Sequence, residues 1–221
     1  MAQGPWSLVI RASDGHFGVH GAVVTYPAGN TRSGVLSTRH GGVWNPGFRT
    51  LVFPLGTSQA QIVGDLGLAT LESLAARVAV VNGRPHFGGL DGFAAERAIS
   101  FRSPVVHEMR YGAVDLGQQE ALGKGLVFTG VTWAGSFESL AFESHAKPAG
   151  AVRLRPAIYS SALGGSGTLA WESAPGEVTY VGYSGSATGP EAIEALRALA
   201  DKGKALSPAQ WEARNPAQVY P

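Results

Sequence analysis

The stretch Ala151–Tyr183, AVRLRPAIYSSALGGSGTLAWESAPGEVTYVGY, decides the fold class. It holds runs rich in Ile, Leu, Val, Tyr and Thr at 151–158, 168–171 and 178–183. Between them lie SSALGGSG at 160–167 and SAPGE at 173–177. Runs this short, punctuated by Gly, Pro and Ser, read as antiparallel strands joined by tight turns. Upstream the pattern repeats at Ser7–Ile10, Phe17–Thr25, Gly34–Thr38, Thr50–Phe53, Leu66–Leu71 and Val78–Val81. It continues at Ala98–Phe101, Leu126–Trp133 and Phe137–Phe142. These twelve runs in two groups predict an all-β chain of two six-stranded antiparallel β-barrels.

The boundaries follow from the punctuation. An N-terminal barrel spans 1–83, a linker around RPHFGGLDG spans 84–97, and a second barrel spans 98–188. The segment Ala69–Val80 has helix-forming Ala and Leu, but its flanking β-branched residues favour strand-loop-strand. Residues 189–221 read differently: Gly189-Pro190, early Glu191 and a closing Gly203 are helix start and stop signals. Ile193, Leu196, Leu199 and Ala200 would share one face of that C-terminal helix. The last stretch, Ser207–Pro221, holds three prolines and reads as extended.

Composition narrows the function. The 221 residues are 44% hydrophobic and 15% charged, which suits folded domains rather than disorder. A net charge of +1 gives no electrostatic footprint for nucleic acid or an anionic membrane. The absence of cysteine excludes disulfides, zinc-thiolate sites and a cysteine nucleophile. With no secretory pattern at the start, it favours a cytoplasmic site of action, with secretion as the alternative. The histidines at 16, 20, 40, 86, 107 and 145 form no HExxH pattern, so no metal site is expected. Gly123-Lys124-Gly125 lacks phosphate-loop spacing, so no cofactor is expected either.

A nucleophile is the better chemical reading. Gly164-Gly165-Ser166-Gly167 lets a chain turn sharply and brings amides close to a serine hydroxyl. VLSTRH, 35–40, is an apolar strand ending in His40, which would serve as general base. GDLGL, 64–68, sets Asp65 against an apolar run, where a carboxylate could orient an imidazole. Asp91 in GGLDG competes for that role, and Asp115 is a third choice.

In the order His, Asp, Ser, these segments resemble the chymotrypsin-like serine proteases. The resemblance implies a double β-barrel endopeptidase with a Ser166-His40-Asp65 triad, acting on a polypeptide substrate through an acyl-enzyme. It also implies an oxyanion hole from the amides of Gly164 and Ser166. Ser160 would lie at the base of the specificity pocket, with Tyr183, Ser184, Gly185 and Ser186 along its wall. An uncharged Ser160 suits an apolar or small polar residue before the cut. Several positions depart from the family. Thr38 and Arg39 stand where alanines are usual before the histidine, and Gly165 replaces the acid before the serine. Thr168 and Leu169 replace Gly-Pro. The looser nucleophile loop is similar to that of the viral polyprotein-processing branch. The other reading is a non-catalytic all-β binding or capsid-like module. A serine hydrolase of another fold is disfavoured, because no GxSxG lies between a strand and a helix.

Overall fold

The computed structural model describes residues 5–16, 19–28, 36–37, 41–100, 106–111, 126–132, 137–143, 145–162, 166–185 and 189–214. The chain is mostly β, and it divides into two compact units that interleave along the sequence. One takes residues 1–103, 134–148 and 174–176; the other takes 104–133, 149–173 and 177–221.

The first unit is built on a seven-stranded sheet. Its strands are β1 (Trp6–His16), β2 (Val19–Tyr26), β3 (Leu36–Ser37), β4 (Val43–Asn45), β5 (Thr50–Leu55), β6 (Ser58–Gly64) and β9 (Phe93–Ser100). Their order is β3-β4-β5-β6-β2-β1-β9. Side chains alternate between two covered faces. Leu8, Ile10, Ala22, Val24, Leu51, Phe53 and Ile62 pack with helix α1 (Leu68–Ala75) and the hairpin β7 (Val78–Val81) and β8 (Arg84–Phe87). Val9, Val23 and Val63 cluster instead with Phe142 of helix α2 (Phe137–Glu143). A strand covered on both faces loses polar alternation, which explains the unbroken apolar runs of β1 and β2.

Several local expectations are corrected. Residues 69–80 are not strand-loop-strand: α1 buries Leu71, Leu74 and Ala75, spaced three and four apart, before β7 begins. Phe137–Phe142 is likewise helical, with Phe137 and Ala141 buried one turn apart. The stretch 84–97 is not a linker. Pro85 and Phe87 of β8 are buried in alternation, and β9 pairs with β1, Trp6 opposite Ser100. Gly89 and Gly92, at φ 88° and 80°, supply the turn between them. In the tail, 208–214 is helix α4 (Pro208–Arg214) rather than extended chain. Its start carries a reciprocal cap: the Gln210 amide donates to Ser207 Oγ, and the Ser207 amide donates to Gln210 Oε1. Residues 215–221 lie outside the described residues.

The second unit carries a six-stranded sheet of order β10-β11-β15-β14-β13-β12. Its strands are β10 (Val106–Tyr111), β11 (Leu126–Thr132), β12 (Lys147–Val152), β13 (Arg155–Ala162), β14 (Ser166–Ala174) and β15 (Glu177–Ser184). Helix α3 (Pro190–Lys202) is the helix expected from the sequence, with Pro190 in its first turn and Gly203 at its C-cap. It buries Ala192, Ala195, Leu196 and Ala200 against Val127, Val152, Leu169, Trp171 and Val181. Both sheets are open among the described residues: β3, β9, β10 and β12 are end strands with one sheet neighbour each. No described helix is long and apolar enough to cross a membrane.

Candidate functional site

Asp65 follows the last residue of β6. The pairing of β2 with β6 ends at Ala22 opposite Gly64. Residues 20 and 21 therefore run past β6, and their N–H groups need another acceptor. Asp65 supplies it: the His20 amide donates to Oδ2 at 2.7 Å and the Gly21 amide to Oδ1 at 2.9 Å. The approach is close, since a Cβ on Gly64 would stand 2.5 Å from the Gly21 carbonyl oxygen. His20 itself is left-handed at φ 51°, and its Nδ1 lies 3.3 Å from Asp14 Oδ2 on the surface.

This gives Asp65 a bracing task that an amide cannot fully take over. Asp65→Asn is expected to lower stability by about 1–2 kcal/mol, since one of two charge-assisted bonds becomes an N–H facing an N–H. Asp91 is exposed in the turn before β9, so Asp91→Asn is expected to change stability by less than about 0.5 kcal/mol. Urea denaturation of the two variants checks the contrast, and equal midpoints would remove the brace.

The other predicted site residues belong to the second unit or lie outside the described set. Ser166 opens β14 and pairs with Ala162, the last residue of β13. Ser160 is half-buried on β13 opposite Thr168. Tyr183, near the end of β15, is 1% exposed, and Ser184 beside it is exposed opposite Leu126. Gly185 is half-buried. Strands β13, β14 and β15 are neighbours, so the nucleophile segment and the wall segment share one region of the sheet. His40, Gly164, Ser186 and Asp115 lie outside the described residues.

Packing beneath this region is tight. A Cβ on Gly167 would fall on the Tyr159 hydroxyl and against the Tyr183 ring. The two tyrosine hydroxyls lie 3.4 Å apart. Burial, and then the hydrogen bond with Tyr159, push the Tyr183 phenol up from its ordinary range, so it stays neutral. Tyr183 thus fills the core of the second unit.

Sequence reasoning missed the strongest charge arrangements. Glu138 on α2 is 2% exposed and accepts from Arg97 Nη2 at 3.2 Å through both oxygens. Arg11 Nη2 stands 3.8 Å from it and also bonds Glu96 at 2.6 Å. In the second unit the Tyr180 hydroxyl donates to Glu108 Oε2 at 2.9 Å. Arg197 donates to the Ala149 carbonyl at 2.6 Å, and Arg153 to the Ala200 carbonyl at 2.8 Å. The partners are far apart in sequence, so no local motif announces them. Among the described residues no group of three or more His, Cys, Asp or Glu side chains is placed to hold a metal ion. No known protein family, curated protein or solved structure matches the chain.

Proposed function

We propose that the chain works as a non-catalytic β-rich binding module. The observation that carries this reading is the use made of Asp65. Both of its oxygens accept backbone amides at the start of β2. Among the described residues, Glu138, Glu108 and Arg197 act similarly, tying helix to sheet or strand to strand. Reactive sites instead set titratable groups against one another at a common point where substrate can reach them.

A second reading is favoured by one specific arrangement: Ser160, Ser166-Gly167 and Tyr183-Ser184 lie on adjacent strands of one sheet, with Gly185 just past the last of them. In that reading the chain is a serine endopeptidase of the double-barrel type, and Ser166 Oγ attacks a peptide carbonyl. His40 takes the proton and returns it to the leaving amine. Asp65 orients His40, and the amides of Gly164 and Ser166 hold the oxyanion.

A fluorophosphonate probe separates the two, because an activated serine oxygen attacks its phosphorus and displaces fluoride, leaving a phosphonylated serine. The binding module predicts no difference in labelling between wild type and Ser166→Ala. Labelling that maps to residue 166 and vanishes in Ser166→Ala would remove the binding reading, and cleavage of a peptide library lost in the same variant would establish the endopeptidase.

A further inference from the structure

Two hairpins of this protein turn through paired left-handed residues, with opposite chemistry. Between β7 and β8 the pair is Asn82 and Gly83, at φ 52° and 76°. Those residue types suit a two-residue turn in which both φ angles are positive. Between β12 and β13 the pair is Arg153 and Leu154, at φ 50° and 64°. A bulky side chain in this region carries a steric penalty that Asn or Gly avoids.

The arginine accounts for itself. Arg153 Nη2 donates to the carbonyls of Ala200 and Gly203, fixing the tip to the C-terminal end of α3. The leucine has no such task in the fold: Leu154 is 98% exposed. Strain kept in order to hold an apolar side chain in water points to something outside the molecule.

The surrounding charge says what that is. Arg153 and Arg155 flank the leucine, and both are exposed. Gly203, which Arg153 touches, lies between exposed Lys202 and Lys204. Asp201 is the acid in that stretch. The whole-chain charge of +1, which argued against a membrane, hides this local excess. We propose that the Arg153-Leu154-Arg155 tip is a contact point for an anionic lipid surface. Leu154 enters the acyl boundary, and Arg153, Arg155, Lys202 and Lys204 meet the phosphates. A convex tip with one apolar side chain and a collar of one sign fits a fluid interface, which needs no matching socket. The proposal does not depend on whether Ser166 is a nucleophile.

The test is co-sedimentation of the full chain with vesicles of equal parts phosphatidylserine and phosphatidylcholine, against vesicles of phosphatidylcholine alone. The expected binding is weak, reversible, confined to the anionic vesicles and diminished by salt. Leu154→Asn should weaken partitioning about tenfold. Its melting temperature should hold or rise, because asparagine suits the turn. Leu154→Gly is the second variant, with the same expectation for binding. Arg155→Ser combined with Lys204→Ser should weaken binding and flatten its salt dependence. Wild type that ignores both kinds of vesicle overturns the proposal and leaves the tip to a protein socket. Binding unchanged by both Leu154 variants also overturns it, reducing the effect to unspecific charge attraction.

Discussion

Glu138→Ala is expected to destabilise the first unit by about 3 kcal/mol. The carboxylate is buried on α2 and draws in the guanidiniums of Arg97 and Arg11, whose side chains are 32% and 16% exposed. Removing it takes both carboxylate bonds from the half-buried Arg97, while Arg11 keeps its pair with Glu96. Arg97 retains some contact with water, which holds the loss near the lower end for a broken buried pair. Glu138→Gln keeps a hydrogen-bond acceptor but loses the charge, so its loss should be smaller. Hydrogen exchange gives the local readout: protection should fall in β1, β9 and α2 and hold in β13–β15. A loss under about 1 kcal/mol for Glu138→Ala would make the pair no better than a surface salt bridge.

Leu196→Ala is the counterpart for the second unit, with an expected loss of about 3 kcal/mol. Leu196 is 0% exposed and lies in the cluster that joins α3 to the sheet, with Leu169, Trp171 and Val181. The loss combines transfer of the missing methyl groups with the cavity left among packed side chains. Arg153 and Arg197 pin α3 to the sheet at the Ala200 and Ala149 carbonyls, so the helix has little freedom to move in and fill the gap. Chemical denaturation followed by hydrogen exchange should place the change in α3, β13, β14 and β15. A change confined to β1, β2 and β6 would refute this account of the core.

The sequence made α3 legible because its signals are local: Pro190 opens it, Glu191 sits in the first turn and Gly203 closes it. Most strand runs were legible for the same reason, as apolar stretches set off by turn residues, but Leu66–Leu71 and Phe137–Phe142 have the same look and lead into or form helices. Helix α1 was misread because the flanking β-branched residues were given more weight than its helix-forming Ala and Leu, and Val78 and Val80 belong to β7 beyond its end. The stretch 84–97 looked like a connection because its glycines mask the alternation of Pro85 and Phe87. Closure into barrels was inferred from strand number, but closure depends on which edges meet, and periodicity carries no such information.

At the candidate site, the sequence marked Asp65 as a carboxylate before an apolar run; that run leads into helix α1, and Asp65 is half-buried. Its partners, the amides of His20 and Gly21, depend on where β2 and β6 stop pairing. That register is a tertiary fact, set by the whole sheet. Glu138 and Arg97 illustrate the limit further, since they are 41 residues apart and neither stands in a recognisable motif.

The interleaving of the two units bears on the order in which the protein can fold during synthesis. A nascent chain that has emerged only as far as residue 103 holds the strands of the first sheet but not the helix that carries Phe142. Val9, Val23 and Val63 then form an uncovered apolar stripe until the ribosome has delivered residues 137–143. Truncation before α2 should therefore yield an aggregation-prone product, and the early part of translation is where this protein has most need of a chaperone.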